Sequence, residues 1–234
     1  MKKHIKWVKP IIFIPILLAQ LIIFGPNMAS LAKSSPQPFS KVSIILEQNA
    51  SDGDTEAVLF VKGQDEGLKE LKVYSPDGER ILKFKANPDT IGIREFHLES
   101  AEPQDLHLVL QSFPEGDYEI ESKTITGGQL KGIATLSHQI ASQTDILTPP
   151  KQTTVSPDRV TLAWEKVLDA EYYIIEIQNE NTEKSLSLEL PSSINTFDVP
   201  SSWLERDTEY QISIGVQNHF SNITYVESTF YTAS

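Results

Sequence analysis

From Lys41 onward, apolar residues recur at every second position in short runs, and turn residues cut those runs apart. A period of two places alternate side chains on opposite faces of a strand, so each run can bury one face and wet the other. "LKELKVYSPDGERILKF" is the clearest case: Leu71 and Val73 alternate with Lys72 and Tyr74, and "RILKF" resumes the period after a turn. Pro76 presets φ, while Asp77 and Gly78 favour turn geometry. "KVSIILE", "AVLFV" and "IGIREFHLES" read as further strands, with "NASDGDTE" as a polar turn cluster. "GDYEIESKTITGGQLKGIATLSHQI" reads as a long hairpin about Gly127–Gly128, with Tyr118, Ile120, Leu130, Ala134 and Leu136 on its inner face.

One segment changes period. Leu106, Val109, Leu110 and Phe113 fall at i, i+3, i+4 and i+7, the stripe of an amphipathic helix. Asp105 is placed to cap it and Pro114 to end it. The region 41–146 is therefore predicted to be a β-rich module in which one short helix covers an end or an edge. Pro149, Pro150 and Pro157 then remove ladder donors and mark a boundary. After it come "RVTLAWEKV", "EYYIIEIQ", "KSLSLEL", "NTFDVP", "TEYQISIGVQN" and "YVESTFYTA". Regular short strands divided by turns predict a β-sandwich over 147–234. The fold class is thus mostly all-β.

Ahead of both modules, "MKKHIKWVK" is basic, residues 11–24 are uncharged and apolar, and "GPNMASLAKSS" ends in small residues. This is the pattern of a secretory signal peptide over residues 1–32, with Ser30 and Ala32 at −3 and −1 for cleavage after Ala32. The apolar run is shorter than the roughly 20 residues of a spanning helix, and Pro15 interrupts it. The alternative is an uncleaved anchor. Residues 33–40, "KSSPQPFS", form a flexible lead-in. The expected location is periplasmic or secreted.

Within the second module, Trp164 of "LAW" stands where a core tryptophan belongs, "AEYYIIEI" opens a strand with Tyr173, and "LERDTEY" spaces Leu204, Thr208 and Tyr210 ahead of another strand. "STFYT", with Phe230, closes the chain. In these four places the segment resembles a fibronectin type III domain. The resemblance implies that Trp164, Tyr173, Leu204, Tyr210 and Phe230 are structural, and that the Tyr210 hydroxyl turns back onto upstream backbone as a tyrosine corner. Arg206 stands where that family usually has proline. More loosely, the whole chain resembles secreted bacterial proteins that pair such a β module with a fibronectin type III module; that likeness implies an architecture and no activity.

The 234-residue chain contains no cysteine, which removes disulfides, thiolate nucleophiles, zinc–cysteine sites and a lipobox. A net charge of −12 argues against nucleic acid or anionic lipid as the main partner. No nucleophile elbow, zinc helix motif, P-loop or dinucleotide fingerprint occurs. His4 belongs to the leader, and His97, His107, His138 and His219 lie in four separate segments. Glu99, Glu102, Glu115, Asp117, Glu119 and Glu121 supply carboxylates, the last two on the solvent face of a strand. Asp52, Asp54 and Glu56 have the two-residue spacing of oxygen ligands, a weak calcium-loop signal. Asn49 and Asn222 head N-x-S/T sequons. Trp203 is outside the family's core positions and is the candidate surface contact. These observations predict a non-enzymatic secreted binding protein without a cofactor, whose partner is a protein or a polysaccharide. The alternatives are an accessory or catalytic part in extracellular carbohydrate degradation and a structural protein of the bacterial envelope.

Overall fold

Alternation and turn chemistry resolve into strands in a computed structural model that describes residues 35–86 and 91–234. The signal peptide expected over residues 1–32 lies outside the described residues. β1 (Lys41–Asn49) and β2 (Asp54–Lys62) form a hairpin paired along its whole length. Gly53 makes the turn with φ +82°, and its N–H donates to the Asn49 carbonyl at 2.8 Å. The polar cluster is thus a shorter turn than its composition predicts. Thr55 and Glu56 belong to β2 because the pairing runs out to Asn49 and Asp54.

β3 (Leu68–Tyr74) and β4 (Arg80–Lys85) form the hairpin expected at "SPDG", where Gly78 takes φ +83°. β5 (Glu95–Glu99) pairs with the far side of β2. α1 (Leu106–Ser112) lies between β5 and the hairpin of β6 (Gly116–Thr124) and β7 (Gln129–Leu136). The Asp105 carboxylate caps the helix, accepting the His107 N–H at 3.0 Å. A sheet ordered β5-β2-β1 faces one ordered β4-β3-β6-β7. Leu46, Val61, Leu71, Val73, Tyr118 and Ile120 fill the space between them.

The rest of the chain repeats that plan. β8 (Ile146–Thr148), β10 (Val160–Trp164) and β13 (Thr196–Val199) form a sheet ordered β13-β10-β8. β11 (Tyr172–Asn179), β12 (Ser185–Pro191), β14 (Glu209–Gln217) and β15 (Ile223–Thr232) give the order β12-β11-β14-β15. β9 (Thr153–Val155) adds in parallel to one end of β15. Three strands against four, in this order, is a fibronectin type III-like sandwich. The first sandwich has the same order, strand for strand, with β1 in the place of β8 and β7 in the place of β15. The expected N-terminal β module is therefore a second sandwich of the same kind, with α1 in its crossover.

The two sandwiches share a sheet. β1 pairs with β15 in parallel from Glu47–Ile223 to Asn49–Tyr225, making one sheet ordered β12-β11-β14-β15-β1-β2-β5. Asn222, just before β15, is 1% exposed. Its Oδ1 accepts the Leu46 N–H at 2.8 Å, and its Nδ2 donates to the Ser137 and Gln139 carbonyls, each at 2.8 Å. Asn218 donates to the same Gln139 carbonyl at 2.8 Å, and the Thr224 hydroxyl donates to the Ala141 carbonyl at 2.7 Å. The loop between β14 and β15 thereby fastens the chain that leaves β7, and residues 35–234 form one compact unit. The second sequon asparagine is consequently enclosed.

Replacing Asn222 with alanine strands the buried Leu46 N–H and takes the Asn222 donor from the Ser137 carbonyl, while the Gln139 carbonyl keeps Asn218. It is expected to lower unfolding free energy by about 1–3 kcal/mol, read from urea denaturation of the exported chain. An unchanged midpoint would show that Asn222 does not hold the seam.

Candidate functional site

The residues singled out in "LERDTEY" form the corner at the start of β14. Tyr210 is fully buried; its hydroxyl accepts the Glu205 N–H at 2.7 Å and the Asn179 Nδ2 at 3.5 Å. Its ring stacks on Phe230 at 5.3 Å, while Leu204 is buried in the same core. Thr208 donates its hydroxyl to the Arg206 carbonyl at 2.8 Å, and its N–H reaches the Thr232 hydroxyl at 3.0 Å. Where proline would stiffen this turn, the Arg206 guanidinium instead donates to the Ser234 carbonyl at 2.9 Å. Asp207 takes the left-handed φ of +50° that completes the turn.

Trp164 is fully buried between the sheets and meets Tyr173 edge-on at 5.4 Å. The Tyr173 hydroxyl accepts the Val167 N–H at 2.7 Å, and the Trp164 indole N–H has no partner among the described residues. Trp203 ends a short 3₁₀ turn (Ser201–Trp203) and packs half-buried against the second core. One side of its ring leans on Tyr210 at 5.5 Å, and the Lys184 ammonium lies 5.3 Å from its centroid.

The first sandwich has a corner that its sequence did not disclose. Tyr118 of β6 is fully buried and donates its hydroxyl to the Pro114 carbonyl at 3.0 Å. Burial, with a smaller contribution from Asp77, pushes its pKa up to about 12. The usable signal was "PEGDY", a tyrosine four residues after the proline that closes the helix.

The histidines are placed apart in function. His97 lies 3.6 Å from Glu99 on β5, His107 meets Gln111 on α1 at 2.9 Å, and His138 contacts the Phe113 carbonyl at 2.7 Å. His219 packs on Phe220 with ring centroids 3.9 Å apart. The carboxylates of the β6 region act as ties: Glu115 accepts the His138 N–H at 3.0 Å, Asp117 accepts the Thr135 hydroxyl at 2.6 Å, and Glu119 pairs with Lys131 at 2.8 Å. The backbone donor at His138 and the Ser137 hydroxyl hold the Glu115 carboxyl below the ordinary range.

The turn containing Asp52 and Asp54 comes against the seam. The Ser51 hydroxyl accepts the Glu227 N–H at 2.7 Å, and the Ala50 N–H donates to the Tyr225 carbonyl at 2.8 Å. Asp54 is half-buried, and its pKa is pushed up to about 6, first by burial and then by Asp52, Glu102 and Glu227. Burial likewise raises Glu227, against a hydrogen bond from Asn49 that favours its charge. Glu56 lies two residues further along β2, cross-strand from Glu47. Among the described residues no three His, Asp or Glu side chains are grouped to hold a metal ion.

No family model matches the chain, and no curated protein matches it. Solved structures similar to it include the FN1–FN3 domains of chicken CNTN1, at 12% identity and TM-score 0.31 over 84% of this chain. This chain spans 66% of that fragment's length. A segment of two fibronectin type III domains from chicken tenascin is similar at 9% identity and TM-score 0.33, over 82% of this chain and 98% of that one. A 1.5-MDa bacterial ice-binding adhesin is similar at 14% identity and TM-score 0.29, over 86% and 67%. The fibronectin type III-like assignment rests on strand order and register. No helix among the described residues is long and apolar enough to cross a membrane.

Two outcomes are expected. Tyr210→Phe removes the acceptor of a part-buried N–H and should lower stability by about 1–2 kcal/mol, read from chemical denaturation; an unaltered midpoint would make the corner bond dispensable. Asp54 has a folded pKa raised above the unfolded value near 3.8. Its ionisation therefore opposes folding fully above about pH 6, and the penalty fades as pH falls towards 3.8. Asp54→Asn should melt at a higher temperature than the parent at pH 7.5, with the two converging near pH 4. Equal melting temperatures at pH 7.5 would contradict the assignment.

Proposed function

We propose that the chain is an exported, non-enzymatic binding protein in which two fibronectin type III-like sandwiches are locked side by side to present sheet faces and loops to a partner. The observation that carries this reading is the seam. Asn218, Asn222 and Thr224, all buried, hold one sandwich against the other, and their hydrogen bonds run to backbone across the junction. Such a junction fixes the relation of two surfaces, which serves recognition of something larger than either. Corner tyrosines, core tryptophan and strand carboxylates are engaged in holding the scaffold.

In this reading residues 1–32 are a leader cleaved after Ala32, residues 33–40 lead in, and the functional modules are 41–146 and 147–234. The protein then works in the periplasm or outside the cell, on a protein or polysaccharide partner. In the same reading half-buried Trp203 contributes to that contact.

The exported protein, recovered from its source organism and sequenced from the N-terminus, should begin at Lys33. An N-terminus at Met1 would overturn the exported-and-cleaved reading. Incubated with the partner it captures, the protein should release that partner chemically unchanged. New reducing ends on a captured polysaccharide would instead make it a degrading enzyme.

A further inference from the structure

Cations gather on the outer face of β4-β3-β6-β7, in a chain whose net charge is −12. Leu82 and Phe84 of β4 pack against the first core, so Lys83 and Lys85 turn to solvent. The register sets Lys83 directly opposite Lys72, and sets Glu70 opposite both Lys85 and Lys123. Like charges directly opposed on one sheet face destabilise it. Two acidic groups stand among them: Glu70, 3.3 Å from the Lys72 ammonium, and Glu121, cross-strand from Lys72. Burial works against the ionisation of Glu70, yet Lys72, Lys123 and Lys83 hold its carboxyl below the ordinary range. Glu119 and Glu121 are engaged by Lys131, at 2.8 and 3.7 Å. Among the described residues Arg80, Lys83, Lys85 and Lys123 are exposed and form no ion pair.

Three further features belong to the same face. β4 is a free edge of its sheet, so the strip is open from the side as well as from above. A shallow hollow opens there, lined by Lys72, Lys123 and Lys131 together with the carboxylates of Glu70 and Glu121. Tyr74 lies on β3 two residues beyond Lys72, cross-strand from Glu119, and offers part of an aromatic ring. The cations are spaced as the sheet dictates, about 4.8 Å between strands and about 6.8 Å between alternate residues. A repeating grid matches a ligand whose charge also repeats.

We propose that this face binds an anionic polysaccharide, whose acid groups lie over Lys72, Lys83, Lys85 and Lys123 along the open edge of β4. The proposal rests on the binding-protein reading and names the ligand class. A nucleic acid is the competing polyanion, and the test separates the two.

The test is affinity electrophoresis of the exported chain through gels containing polygalacturonate, dextran sulfate, neutral dextran or an oligothymidylate. Retardation by at least one of the two anionic polysaccharides is expected, and not by neutral dextran. The dependence of log affinity on log salt should lessen by about one for each lysine removed. Lys83→Gln/Lys85→Gln should therefore bind roughly tenfold more weakly at low salt, while Lys166→Gln on the second sandwich should bind as the parent does. Circular dichroism confirms that each variant is folded, and a Lys72→Gln/Lys123→Gln pair gives an independent second reading. No retardation by either anionic polymer, retardation unaffected by both lysine pairs, or equal retardation by the oligothymidylate would overturn the proposal. If the polysaccharide is not bound while a protein partner is captured, the ligand class fails and the binding-protein reading stands. If the polysaccharide is cut, the binding-protein reading fails.

Discussion

An open sheet edge must satisfy its N–H and C=O groups, and the seam is where this molecule does so between its two halves. β15 would otherwise carry a bare outer edge at Ile223–Tyr225, and β1 would carry one at Glu47–Asn49. Joining them satisfies both. Parallel pairing over three residues is a weak tie by itself, and Asn222 reinforces it by serving the backbone of β1 and the chain after β7 at once. The same side chain thus sets the sheet order, the position of the β14–β15 loop and the course of residues 137–141. The acidic turn at Asp52 and Asp54 is drawn against Glu227 because that pairing places it there, and Glu227 adds a last contribution, after burial, Asp52 and Glu102, to the raised pKa of Asp54.

Much of the chemistry that the sequence offers is engaged in architecture. Tyrosine hydroxyls close two corners, Glu115 and Asp117 tie the start of β6 to the end of its partner strand, and His97, His107 and His138 meet nearby strand, helix or backbone groups. The two outer sheet faces differ in charge. Glu227 lies on the composite sheet, while the opposite sheet of the first sandwich carries Lys83, Lys85 and Lys123 beside carboxylates, of which Glu119 and Glu121 are engaged by Lys131. A strongly negative total can therefore hide a cationic surface, because net charge averages over faces that a ligand meets one at a time.

What was legible in the sequence follows the range of the interaction. The helix Leu106–Ser112 was readable from a 3.6-residue stripe, a capping aspartate and a stopping proline, all local. The β3–β4 and β6–β7 hairpins were readable from alternation and from glycines that supply positive φ. The β1–β15 pairing joins Glu47 to Ile223, and nothing near either residue announces the other. The shared strand order of the two sandwiches was hidden for a related reason: order is a property of pairing, and alternation says only which face a residue occupies. The same limit concealed the opposed lysines, since Lys72 and Lys83 read as ordinary solvent-facing positions until the register set them side by side.

The seam also bears on the order of synthesis. Residues 41–136 emerge first and contain every strand of their own sandwich, so they can collapse before the rest exists. The outer edge of β1 then stays unsatisfied until residues 218–225 have left the ribosome, some 170 positions after its partner. For that interval the nascent chain presents an open strand to any neighbour. Keeping the protein unfolded, or shielded by a chaperone, until both halves are available would protect it from mispairing.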